Sequence, residues 1–157
     1  MLEELKLYIK DNLVVEKKRA FFGMANEEAL YECAAPSIND YINSNKDLNN
    51  FQTLLFKYID DRNLKDSDVY NKVNIDRRLF SKIRSDASYH PSKETIILLA
   101  LSLELDESEM IKLLDSASYS LPKNNYFDLI IRFCFINKIY KIDEVNELLY
   151  DYNCKCL

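Results

Sequence analysis

The chain has 157 residues, of which 48% are hydrophobic and 30% are charged, a composition typical of one globular domain with small appendages. It contains one Gly and three Pro, which argues against a β-sandwich or barrel and favours helices joined by short polar links. The formal net charge of −5 does not by itself favour a nucleic-acid partner, and no apolar run is long enough to cross a membrane. The acidic, helix-like start differs from a secretion signal, so we expect a cytoplasmic protein.

Residues 1–50 predict an N-terminal helical extension. Apolar residues at helical spacing predict a first helix over about residues 2–13. Helical propensity predicts two further short helices, at about 27–33 and 37–42. Residues 43–50 are polar and rich in turn formers, so we place a domain boundary there.

From residue 51 the apolar spacing becomes regular and predicts five helices as far as about residue 117. In the third of these helices, residues 77–85, we expect Leu79, Phe80 and Ile83 to face the core. Small polar or acidic residues before apolar runs are typical helix caps. The residues that we expect at or just before the five helix starts are Phe51, Asp66 or Ser67, Asp76, Ser92 and Asp106.

Residues 121–157 predict a C-terminal helical extension that packs on this core. Its two helices are expected near 125–139 and 143–152, which makes the whole chain all-α. The first of them is more apolar than a lone covering helix requires. We therefore expect a homodimer surface that includes Phe127, Ile131, Phe135 and Ile136.

One short segment is strongly basic within this acidic chain. Residues 72–84 contain five basic side chains and a single acidic one, Asp76. A basic stripe on a helix is often only a solvated surface. It is also the electrostatic pattern of a phosphate-binding face.

The stretch Leu64 to Arg84, followed by Pro91-Ser92-Lys93-Glu94-Thr95 and by Leu98-Leu99-Ala100, resembles the helix-turn-helix of the Cro/Xre phage-repressor family over about residues 51–117. The resemblance implies a lambda-repressor-like five-helix core at 51–120. In such folds the helix after the turn enters the major groove and reads base edges. It therefore implies double-stranded DNA as partner, transcription regulation as function and the following contact residues: Lys72, Asp76, Arg77, Arg78, Ser81, Lys82 and Arg84.

The turn of this motif, residues 73–76, has Asn74 where the family usually has Gly, and we expect a left-handed backbone there. Two departures from the family favour another function. Asp66 stands where Gln often meets a phosphate, and Tyr70 stands where Ala allows close helix packing. The alternative is a non-catalytic protein-interaction adaptor that keeps the repressor-like scaffold, in phage defence, signalling or toxin control.

The sequence offers no pattern typical of an enzyme, a metal site or a cofactor site. His90 is the only histidine, and a single Gly leaves no phosphate-binding loop. The four cysteines lack zinc-finger spacing. We expect Cys134 in the core, whereas the pair Cys154 and Cys156 is compatible with reduced thiols, metal chelation or oxidation.

Overall fold

The computed structural model describes residues 2–13 and 50–157. Within these two segments every regular element is an α-helix and there is no strand, which confirms the predicted all-α class. None of these helices exceeds 11 residues, and none of them is long and apolar enough to cross a bilayer. The helices predicted at 27–33 and 37–42, and the boundary at 43–49, lie outside the described residues. The helices are α1 (Leu2–Asn12), α2 (Phe51–Asp61), α3 (Asp66–Lys72), α4 (Arg77–Ser85), α5 (Lys93–Ser102), α6 (Glu107–Ser116), α7 (Tyr126–Ile136) and α8 (Ile142–Asp151).

Three helices begin at the caps that the sequence predicts. Asp76 caps α4, Ser92 caps α5 and Asp106 caps α6, each with a side-chain oxygen that accepts a hydrogen bond from a first-turn amide. Asp106 also forms a capping box with Glu109. Each cap satisfies a backbone donor that has no partner inside the helix. Asp76 in particular fixes the start of α4.

Two residues after the last residue of six of the described helices, the chain has a residue with a left-handed backbone, and none of these six residues is glycine. Their φ angles lie between 51° and 60°. The next residue donates its amide to a carbonyl five residues earlier, as in the Schellman motif, and its side chain packs on the core. The pairs are Asn63-Leu64, Asn74-Ile75, Glu104-Leu105, Ser118-Tyr119, Lys138-Ile139 and Asn153-Cys154.

One hydrophobic core joins all the described helices. Within it α5 packs against α3 and α6, while α6 also packs against α2 and α7. Helix α4 packs against α3, and only one of its sides is buried. The fully buried residues of α5 are Ile96, Ile97, Leu99, Ala100 and Leu101.

Helix α1 packs on α7, so the described part of the N-terminal extension contacts the C-terminal extension. Leu5 and Ile9 of α1 are buried. The Tyr8 ring lies 5.5 Å from the Phe133 ring, measured between centroids. Because aromatic pairs at this separation attract, the contact adds to the burial of the helix face.

Candidate nucleic-acid interface

Helices α3 and α4 are joined by the four-residue turn 73–76, as the sequence predicts. Asn74 has a φ of 52°, the left-handed conformation expected for it. Phe80 and Ile83 of α4 are buried, whereas Leu79, which was also expected inside, is only partly buried. The buried pair leaves the opposite side of α4 at the surface.

The exposed side of α4 carries Arg77, Arg78 and Ser81. These three candidate contact residues lie in the first two turns of the helix. Neither arginine forms an ion pair with any residue of the segments 2–13 and 50–157. Both guanidinium groups can therefore bind an external anion without first breaking a described ion pair.

Asp76, another candidate contact, is the N-cap of α4. Its Oδ1 accepts a hydrogen bond of 2.6 Å from the Arg78 backbone amide. The carboxylate is exposed and lies at the positive end of the α4 dipole, where a negative charge is favourable. Its negative charge also stands beside Arg77 and Arg78, where it would oppose an incoming phosphate.

The other basic candidates have partners within the chain. The Lys82 ammonium lies 4.4 Å from the centre of the Tyr89 ring, a cation–π contact. The Lys72 Nζ lies 2.5 Å from an oxygen of Glu104, although both side chains are about half exposed. The Lys82 charge is not neutralised by its aromatic partner and can still attract an anion. The Lys72 charge is paired with the Glu104 carboxylate.

Arg84 has two partners, one ionic and one aromatic. Its Nη2 donates to Asp66 Oδ1 at 2.5 Å, and its guanidinium lies 4.1 Å from the centre of the Phe56 ring. The arginine side chain remains 51% exposed. Asp66, which departs from the family pattern, thus neutralises one of the predicted DNA contacts.

A cleft of about 390 Å³ runs between the start of α3 and the exposed side of α4. Tyr70 is half-buried at this cleft, and its ring centroid lies 5.6 Å from that of Phe80. The tyrosine is accommodated because it turns toward the cleft. The lining residues are Lys65, Asp66, Ser67, Tyr70, Arg77, Phe80, Ser81 and Arg84.

Gln52 fixes the far end of α4, a role that the sequence does not reveal. Its side-chain amide donates to the carbonyl oxygens of Ile83 at 2.9 Å and of Arg84 at 2.5 Å. The last carbonyls of a helix lack partners within the helix. Since Gln52 lies 31 and 32 residues away from them in the chain, no local pattern predicts this contact.

The apolar residues expected to form a dimer surface are mostly used inside the chain. Ile131 and Phe135 are buried, and Phe127 is partly buried. Ile136 alone of these four is exposed, at 45%. The high apolar content of α7 therefore has an internal explanation, because α1, α6 and α8 all pack on it.

Away from α4, the histidine and cysteine side chains of the described residues do not form a cluster. Nowhere in 2–13 or 50–157 do three His, Cys, Asp or Glu side chains form a group that would hold a metal ion. His90 is exposed, and its Nδ1 lies 3.4 Å from the Tyr119 hydroxyl. Cys134 is buried as expected, Cys154 is partly buried and Cys156 is exposed.

No family model, no curated protein and no solved structure matches this chain. The geometry of the α3–α4 region is therefore the feature of this chain that bears on its function.

Proposed function

We propose that this chain is a DNA-binding transcription regulator whose helix α4 enters the major groove of double-stranded DNA. In this proposal α2 to α6 form a repressor-like core, and α3 with α4 forms its helix-turn-helix. The observation that carries the proposal is the placement of Arg77, Arg78 and Ser81. They are exposed on the first turns of a helix that follows a tight turn, the position from which such helices read bases.

The electrostatics of α4 support an anionic partner. The N-terminal end of a helix carries partial positive charge and disfavours nearby cations. Arg77 and Arg78 nevertheless occupy its first two positions, and no described carboxylate forms an ion pair with either. A DNA phosphate would supply each arginine with a direct ionic partner, and either guanidinium can also make a bidentate contact to guanine.

The test compares two double variants that change the net charge equally. Arg77→Glu/Arg78→Glu reverses the proposed contacts, whereas Lys10→Glu/Lys112→Glu reverses two exposed lysines on α1 and α6. Binding to fragmented DNA from the source genome is measured at two salt concentrations. We expect wild-type enrichment of one site, a salt slope of about −3 for some three phosphate contacts, and a loss of at least about tenfold only in the arginine variant. An equal loss in both variants, or binding indifferent to salt, contradicts the proposal.

A homodimer is part of this proposal, because a two-fold protein matches two half-sites of an operator. The α7 residues named from the sequence are largely internal, so the dimer surface has to lie elsewhere. Sedimentation at micromolar concentration measures the stoichiometry. A monomer, both free and on the enriched DNA site, would count against the dimer.

The second candidate function is a protein-interaction adaptor, and the internal ion pairs favour it. Asp66 neutralises Arg84, and Glu104 neutralises Lys72, so two of the five basic side chains of the segment 72–84 are already paired. The variant Asp66→Asn separates the two functions. DNA binding predicts that this change strengthens affinity several-fold, because it frees Arg84 and removes a carboxylate. An adaptor predicts unchanged or absent DNA binding and weaker capture of a protein partner.

A further inference from the structure

A second cleft lies on the molecule between the α2–α3 link, α3 and the end of α5. Its volume is about 380 Å³, at the lower end of the roughly 300–1,000 Å³ range of small-molecule sites. The walls are polar and carry both signs of charge. Leu64 and Leu103 supply apolar surface between these charges.

Ser102 lines this cleft and has an unused hydrogen-bonding group. The residue is 3% exposed, and its hydroxyl has no hydrogen-bond partner among the described residues. Buried hydroxyls in proteins nearly always have a partner, since leaving one unpaired is unfavourable. A polar ligand in the cleft that displaces the side chains covering this hydroxyl would give Ser102 that partner.

The charged side chains around Ser102 are two cations and two carboxylates, which are Arg62, Lys72, Asp68 and Glu104. Arg62 donates to Glu109 Oε2 at 2.6 Å and to the Tyr58 carbonyl oxygen at 3.4 Å. The Lys72 Nζ lies 2.5 Å from Glu104 Oε1.

These contacts leave donors free on both cations, since a guanidinium has five N–H groups and an ammonium has three. Among residues 2–13 and 50–157, the Asp68 carboxylate accepts a single long bond of 3.4 Å, from the Ser67 hydroxyl, and both its oxygens have lone pairs that no described donor uses.

We propose that this cleft binds a small zwitterion of amino-acid size. Arg62 and Lys72 hold its carboxylate, Asp68 and Glu104 hold its ammonium group, and a polar atom of the ligand bonds to Ser102. A pure anion would meet two carboxylates and a pure cation would meet two basic groups, so the paired charges select a molecule that carries both. The site adjoins α3 and does not require that α4 bind DNA.

The test uses the full chain alone and the twenty common L-α-amino acids, each titrated separately. Binding is followed by backbone amide shifts in NMR spectra and by calorimetry. Two variants change the site while preserving the fold. Ser102→Ala removes a buried unpaired hydroxyl, so its stability should equal or exceed that of the wild type. Asp68→Asn changes an exposed side chain.

We expect at least one amino acid to bind with a Kd below about 1 mM and to shift the amides of residues 102–104. Each variant should weaken that binding about fivefold to tenfold, as expected when one hydrogen bond or one charge contact is lost. Acetate and methylammonium, which each carry one of the two charges, should bind far more weakly. The proposal is overturned if no amino acid binds in this range, if both variants bind as the wild type does, or if acetate binds equally well.

Discussion

The Asp76 carboxylate accepts a hydrogen bond from the Arg78 amide and also carries a negative charge beside the proposed phosphate contacts. Two substitutions separate these effects. Asp76→Asn keeps a side-chain oxygen for the cap and removes the charge, whereas Asp76→Ala removes both. We expect Asp76→Ala to lower the free energy of unfolding by about 1 kcal/mol and Asp76→Asn to change it little.

The proposed function adds that both variants bind DNA more tightly, because each removes the same negative charge. Urea denaturation measures the stability, and a DNA titration measures the affinity. Equal stability of the two variants would mean that the hydrogen bond does not stabilise α4.

Burial of Cys134 makes this thiol hard to ionise. Desolvation, with a smaller contribution from the Glu144 charge, raises its pKa from 9.0 to about 12. Since the folded protein disfavours the thiolate, the thiol contributes stability that is complete below about pH 9 and is lost as the pH rises toward 12.

Two measurements follow from this shift. In a Cys33→Ser/Cys154→Ser/Cys156→Ser background, Cys134 should react with a thiol reagent at pH 8 only as fast as the protein unfolds. The further change Cys134→Ala should reduce the loss of stability between pH 9 and pH 12. Rapid labelling of the folded protein would show that the thiol is accessible.

At the scale of single residues, the sequence predicts what depends on near neighbours. The caps Asp76 and Ser92 and the left-handed Asn74 follow from local rules, and the structure confirms all three. The partners of Arg84 and Lys72 do not follow, because these ion pairs join residues 18 and 32 positions apart. Exposure of the basic stripe was therefore predictable, whereas its partial neutralisation was not.

The starts of α5 and α7 are joined by an ion pair that is mostly inaccessible to water. Lys93 Nζ lies 2.5 Å from Asp128 Oδ1, and the Asp128 side chain is only 3% exposed. Asn125 also donates to Asp128 Oδ2 at 2.8 Å. The carboxylate thus connects two helix N-termini and offsets the cation at the start of α5.

We expect Asp128→Ala to lower the free energy of unfolding by about 3 kcal/mol or more, because it leaves Lys93 without its counter-charge in a mostly buried place. The matched control is Glu144→Ala, which breaks the Lys141–Glu144 pair, whose lysine is 81% exposed. That change should cost less than about 1 kcal/mol. Chemical denaturation compares the two, and similar losses would mean that the Asp128 pair is no stronger than a surface pair.

At the scale of helices, prediction succeeded where apolar spacing is regular and was incomplete at helix ends. Glu104 and Lys138, each two residues after the end of α5 and of α7, have the left-handed conformation. Neither residue type signals such an end, because glycine and asparagine are the usual choices. The packing of α1 on α7 was also not predicted, since it depends on the tertiary path of the chain.

For the molecule as a whole, this packing predicts that α1 contributes to the stability of the folded unit. Leu5 is fully buried, while Leu7 on the same helix is 61% exposed. We expect Leu5→Ala to lower the free energy of unfolding by about 2–5 kcal/mol and Leu7→Ala to change it by less than about 0.5 kcal/mol.

Thermal unfolding followed by two probes tests whether the loss of stability in Leu5→Ala affects the core as well as α1. One probe reports on tyrosine fluorescence and the other on helical circular dichroism. Coincident transitions that both shift in Leu5→Ala would establish one cooperative unit. A shift confined to one transition would establish that the N-terminal helix and the core unfold separately.

The left-handed residues that follow six of the helices also affect the thermal stability of the protein. A side chain with a Cβ is strained in this conformation, whereas glycine is not, although glycine gains more freedom in the unfolded chain. The double variant Ser118→Gly/Lys138→Gly should therefore raise the melting temperature by roughly 4 °C. Asp86→Gly, at the end of α4 where φ is −116°, should lower it instead. Because none of these left-handed positions is glycine, substitutions there can raise the melting temperature without altering the surface of α4.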